Sequence, residues 1–153
     1  MKISLLYGTE TGNTEMLCED LQDHLAADHD VTTANLEDTD PADLTAETFY
    51  LFVCSTYGEG DLPQSAIPFV DTLKSSGTDL SGIRFGVFGF GDSTYTATYN
   101  NGSVVLMTAL TDAGATVLGE RGLHDASGLE DPIDIAIPWA EAVLAVAAVR
   151  FSD

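Results

Sequence analysis

The stretch Thr9-Glu10-Thr11-Gly12-Asn13-Thr14 decides how the rest of the chain is read. An apolar run, Ile3-Ser4-Leu5-Leu6-Tyr7, precedes it, and a helical pattern starts near Glu15. Strand, hydroxyl-rich turn, helix: that order builds an anion site. The first turn of a helix has backbone N–H groups without intrahelical partners, and the helix dipole adds positive charge there. Thr9, Thr11 and Thr14 offer hydroxyls, Asn13 an amide, and Gly12 lets the backbone come close. The loop contains no Lys or Arg, which argues against the lysine-bearing P-loop. It also lacks the Gly-x-Gly-x-x-Gly spacing of a dinucleotide site. Two readings stay open at this loop. It is a site for one phosphate held by neutral donors, or a polar turn that caps a helix.

Working outward, the pattern repeats. Residues 2–7 read as a strand. Residues 14–27 read as a helix, with Met16, Leu17, Leu21 and Leu25 at helical spacing. A short strand follows at 31–36. Residues 37–47 are acidic, contain Pro41, and read as a loop with at most a short helical turn. The run Thr48-Phe49-Tyr50-Leu51-Phe52-Val53-Cys54 has the composition of a strand buried on both faces, as in parallel sheets. Residues 55–65 form a glycine-containing loop and 66–74 a helix with Pro68 in its first turn. A strand at 84–89, a second polar loop at 90–101 and a helix at 103–113, ended by Gly114, come next. Residues 115–119 read as the fifth strand and 121–131 as a loop. A closing helix at 133–149 must kink or start late at Pro138. Five alternations of strand and helix give an α/β fold: a single-domain, doubly wound, five-stranded parallel sheet spanning 1–153. Ligands in such sheets bind beyond the carboxyl ends of the strands.

The bulk numbers bound the function. The 153 residues suffice for one full core, and the mean hydropathy of +0.09 describes a soluble globular chain. No apolar run approaches the ~18 residues of a membrane span. Met1-Lys2-Ile3 leads straight into the first strand without a signal peptide, so a cytoplasmic location is expected. Cys18 and Cys54 fit no metal spacing and read as reduced structural thiols. Against 25 Asp and Glu stand only 5 Lys and Arg, a net charge of −20. Nucleic acid and anionic membrane are therefore poor partners, and basic proteins are good ones. An acidic surface suited to a saline environment explains the same charge, and the sequence does not separate the two.

Two further loops carry the chemistry. Ser55-Thr56-Tyr57-Gly58-Glu59-Gly60-Asp61 follows the third strand, and Phe90-Gly91-Asp92-Ser93-Thr94-Tyr95 the fourth. Tyr57 and Tyr95 sit on glycine-flanked loops, where an aromatic is costly to leave in water unless something flat covers it. A planar ring between the two tyrosines, with its phosphate in the loop at 9–14, satisfies all three loops at once.

These three segments resemble, in order and spacing, the FMN loops of the flavodoxins. They are equally similar to the FMN domain of diflavin reductases such as cytochrome P450 reductase, and to the small MioC group. The resemblance implies a flavodoxin-like sheet of order 2-1-3-4-5 that binds FMN. It implies that Thr9, Glu10, Thr11, Gly12, Asn13 and Thr14 cradle the phosphate. Tyr57 and Tyr95 then flank the isoalloxazine, with Ser55, Thr56, Glu59 and Gly60 in the same loop. The peptide at Gly58 faces flavin N5 and flips on one-electron reduction, which glycine permits because its φ takes either sign. Phe90, Gly91 and Asp92 bind the pyrimidine side, and Asp125 falls where related domains keep an acid. The family's aromatic three residues after the tyrosine is Thr98 here, followed by Tyr99-Asn100, so either Tyr99 or Asn100 touches the ring. The link to the last helix lacks a long insertion, which matches the short-chain kind.

Acid in these loops has a consequence. A carboxylate ~10 Å from the ring, at a dielectric of ~40, opposes the second electron by about 0.8 kcal/mol, or about 35 mV. The resemblance thus implies a low-potential flavodoxin, not an enzyme, with no catalytic residue and no metal. It shuttles single electrons between a reductase and an acceptor enzyme as a monomer, docking transiently on basic faces. The alternative is a two-electron FMN oxidoreductase such as a quinone reductase. A response-regulator-like receiver is excluded, because no basic residue occupies the loop where that fold needs its lysine. The histidines, His24, His29 and His124, read as solvated surface residues.

Overall fold

The computed structural model describes residues 2–8, 13–55, 64–91, 101–125 and 131–151. In chain order the elements are β1 (Lys2–Gly8), α1 (Asn13–Leu25), β2 (Asp30–Asn35), β3 (Phe49–Ser55), α2 (Ile67–Ser76), β4 (Arg84–Gly91), α3 (Asn101–Asp112), β5 (Thr116–Val117), β6 (Gly122–Asp125) and α4 (Pro132–Phe151). Between β2 and β3 lie two single 3-10 turns, Leu36–Asp38 and Pro41–Asp43. Every strand pair is parallel, and the order is β2-β1-β3-β4-β5 with β6 also on β4. That is the order the resemblance implies.

β3 accounts for the layering. Phe49 through Cys54 are all buried. Alternation sends Phe49, Leu51 and Val53 to one face and Tyr50, Phe52 and Cys54 to the other. The first set packs with Leu17, Leu21 and Leu25 of α1 and with Ala140, Val143 and Leu144 of α4. The second packs with Phe69, Val70 and Leu73 of α2 and with Leu106 and Leu110 of α3. Phe52 meets Phe85 of β4 edge-on, with ring centroids 5.6 Å apart.

The fifth sheet position is split, which the sequence reading misses. It expects a strand at 115–119 and a loop at 121–131. Instead Thr116 and Val117 pair with Arg84 and Phe85, and Gly122–Asp125 pair with Phe88 through Gly91. Along β4, Arg84 and Phe88 are four steps apart, while their partners Thr116 and Gly122 are six. Two extra residues therefore bulge out, and a bulge of two keeps the side chains in phase. Gly119 turns the chain there at φ +72°. The Trp139 indole N–H holds the bulge by donating to the Glu120 carbonyl at 3.1 Å. Gly-Leu-His-Asp has no alternation of its own. Its extension is imposed by the tail of β4, which runs to Gly91 rather than stopping at 89.

Three other expectations change. Met16 is 65% exposed, and Cys18 takes its place in the buried stripe of α1. α4 starts at Pro132 and continues through Pro138, so it does not start late. Pro138 is exposed and gives up one intrahelical bond. Burial of Ala136, Ala140, Val143 and Ala147 on the other side holds the helix across it. His24 is bonded rather than merely solvated: its Nε2 lies 3.0 Å from Oε1 of Glu141, linking α1 to α4. His29 is half-buried, with Nδ1 out of solvent and unpartnered among the described residues.

Gly122 sits between Phe88 and Trp139, whose ring centroids are 5.2 Å apart. A Cβ at this position meets Phe88 Cδ2 at 2.5 Å and Trp139 Cδ1 at 2.6 Å. Gly122→Ala is expected to cost about 3 kcal/mol through overpacking. Gly77→Ala, at φ +63° in open space, should cost only about 1 kcal/mol through backbone strain. Chemical denaturation of both variants checks the order. A Gly122→Ala midpoint at or above that of Gly77→Ala contradicts the packing.

Candidate functional site

A parallel sheet sends all its strand ends to one edge, and the register here aligns four of them. Gly8 of β1 stands beside Cys54 of β3. Cys54 and Ser55 stand beside Gly89 and Phe90 of β4. Phe90 and Gly91 stand beside His124 and Asp125 of β6. Because each helix follows a strand, α1 and α3 begin at the same edge, at Asn13 and Asn101. The partial positive charge of these helix starts points outward from it.

The expected site residues distribute as follows. Ser55, Phe90, Gly91 and Asp125 are the closing residues of their strands and lie together at this edge. Asn13 and Thr14 open α1. Thr9, Glu10, Thr11, Gly12, Thr56, Tyr57, Gly58, Glu59, Gly60, Asp92, Tyr95, Tyr99 and Asn100 lie outside the described residues. The edge fits a flavin phosphate on its own terms. β1 ends in a glycine, and a helix N-terminus opens five residues later, which is the layout of a backbone anion site.

Tyr7 braces this turn. It is buried at the end of β1 and its hydroxyl is hydrogen-bonded to Glu15, in the first turn of α1. The bond joins the end of β1 to the first turn of α1. Burial raises the Tyr7 phenol above its ordinary value, and the charge of Glu15 and its hydrogen bond raise it further.

Both cysteines are buried free thiols. Cys54, fully buried, is pushed up to about 12 by desolvation. Cys18 is raised by burial and then by Glu15 and Glu19. Neither forms a thiolate at neutral pH. Among the described residues no group of His, Cys, Asp and Glu could hold a metal ion.

One residue near the edge escapes the sequence reading. Arg121, just ahead of β6, donates from Nη1 to Oγ of Ser103 at 2.6 Å. Ser103 is fully buried in the first turn of α3. The available signal was scarcity: Arg121 is one of five basic residues in 153.

Comparison with known proteins settles the family. The flavodoxin family model matches residues 5–139. The chain belongs to the flavodoxin family. Flavodoxin YqcA of Escherichia coli (strain K12) is 32% identical over 142 residues, covering 92% of this chain and 94% of that protein. NADPH–cytochrome P450 reductase of Homo sapiens is 34% identical over 146 residues, covering 91% of this chain but 21% of the reductase. Among solved structures, a short-chain flavodoxin associated with a bacterial microcompartment superposes with a TM-score of 0.80 at 31% identity, over 96% of this chain and 99% of that one. Membership of the flavodoxin family makes the chain an FMN-binding electron-transfer protein. No described helix is long and apolar enough to cross a membrane.

The Tyr7–Glu15 brace is testable. A phenol raised in the folded state adds stability below its ordinary value of 10. That stability is lost as pH rises through the folded value. Glu15→Gln should move the Tyr7 titration down while leaving it above 10, because burial remains. The tyrosinate absorbance, taken as the difference from Tyr7→Phe, reads this. An unchanged titration in Glu15→Gln contradicts the brace.

Proposed function

We propose that residues 1–153 act as one FMN domain that carries single electrons between a reductase and an acceptor, without catalysing a reaction of its own. The observation that supports this is the in-register meeting of β1, β3, β4 and β6 at one edge, with α1 opening just beyond Gly8. All three sequence motifs leave from those ends. FMN supplies an isoalloxazine that accepts electrons one or two at a time. The chain's own residues hold it. In this reading Thr9, Glu10, Thr11, Gly12, Asn13 and Thr14 take the phosphate with neutral donors and the α1 terminus. Tyr57 and Tyr95 cover the two ring faces and exclude water. Ser55, Thr56, Gly58, Glu59 and Gly60 line the N5 side, and the Gly58 carbonyl accepts the hydrogen bond of a proton held there. Phe90, Gly91, Asp92, Asn100 and Asp125 line the pyrimidine side.

The partners this implies are proteins with basic faces, met transiently by a monomer in the cytoplasm. With 25 acids against 5 basic residues, attraction raises encounter rates and fades with salt. The two-electron oxidoreductase reading has less support. Similarity to the P450 reductase reaches only 21% of that protein's length.

Anaerobic photoreduction of the FMN-loaded protein tests the proposal. A long-lived blue absorbance between the oxidised yellow and the bleached form is expected. Direct bleaching, with rapid reduction by NADPH or NADH alone, contradicts the single-electron carrier.

A further inference from the structure

All five basic residues lie among the described ones, and their placement is uneven. Lys2 opens β1 and Arg84 opens β4. Lys74 lies in the last turn of α2, and Arg150 is the second-last residue of α4. Strands start and helices end at the amino edge of the sheet, so these four are gathered away from the flavin side. Arg121 is the exception.

Its position follows from β6. Gly122 faces Trp139 of α4, so alternation turns Arg121 to the opposite layer, toward α3. There its guanidinium reaches the buried Ser103 hydroxyl at 2.6 Å. Ser103 is in the first turn of α3. A cation at a helix N-terminus works against the dipole. It is favoured by anionic charge beyond that terminus. Asp125 closes β6 at this edge, and the proposed site adds a flavin that grows more negative on reduction.

We propose that Arg121 is a positioning residue of the flavin site. It ties the start of β6 to the first turn of α3, and its positive charge at that helix start would favour the reduced cofactor over the oxidised one. This rests on the FMN site proposed above.

The test uses the full chain, stripped of flavin and titrated with FMN. Wild type, Arg121→Gln and Arg121→Lys are compared for FMN affinity by fluorescence quenching, for both midpoint potentials by spectroelectrochemistry, and for denaturation midpoint. Arg121→Gln should disfavour the fully reduced state relative to the one-electron-reduced state by about threefold. That is about 30 mV on the second midpoint at 59 mV per tenfold for one electron. Arg121→Lys keeps the charge but loses the planar fork. It should share the stability loss and keep most of the potential. If Arg121→Gln does not fold, Arg121→Met, which keeps the packing stem, gives the same readout. Potentials unchanged in the neutral variants, with stability alone reduced, overturn the proposal and leave a structural clip. A wild-type chain that takes up no FMN overturns the site reading itself, and this proposal with it.

Discussion

β3 has no solvent face, and the molecule is built around that constraint. Six consecutive apolar side chains, Phe49 to Cys54, are each removed from water. At about 25 cal/mol per Å² of apolar surface, such burial is the main favourable contribution to folding. It requires a helix layer on each side and a strand at each edge. Parallel pairing then leaves no freedom in where the strand ends go. Gly8, Ser55, Gly91 and Asp125 reach the same edge because β1, β4 and β6 are registered, directly or in turn, on β3. The core and the site are therefore not separate designs. The apolar run fixes the edge at which the strands leading into the polar loops end.

Much of this is legible in the sequence, for reasons that differ by residue. The double burial of β3 shows in a run of aromatic and aliphatic residues without polar alternation. The proposed site rests on hydroxyls, glycines and tyrosines that follow strand ends, poor choices for packing and good ones for a flat phosphorylated ligand, and most of them lie outside the described residues. What escapes is decided by neighbours rather than by local pattern. β6 becomes a strand because β4 extends to Gly91 and offers it a ladder. α4 crosses Pro138 because one lost hydrogen bond is small beside the burial of its apolar side. Met16 points outward because Cys18 lies closer to the centre of the buried stripe. Arg121 carries no motif at all. Its meaning comes from Ser103, eighteen residues away.

The electrostatics follow the same axis as the topology. Four of the five cations lie at the amino edge, and the helix starts place positive dipole ends at the carboxyl edge. By sequence, Glu10, Glu59, Asp61 and Asp92 belong to the loops that follow these strands. In the proposed site such a field would hold a phosphate through backbone donors while making extra electrons on a nearby ring expensive. It also orients encounters with basic partners. Tyr7 belongs to this arrangement, since its hydroxyl engages Glu15 beside the first turn of α1. The two cysteines do not. Burial raises both thiols and disfavours their thiolates.

The central claim is that the carboxyl edge of the sheet is the FMN site. The most direct measurement is an FMN titration of the isotope-labelled apoprotein followed by amide chemical shifts. The account predicts saturation at one FMN per chain, with the large shifts confined to residues 8–14, 55–61, 90–103 and 121–126. Shifts concentrated at the amino edge, around Lys2, Gly77 and Arg84, or no saturable shifts at all, would contradict it.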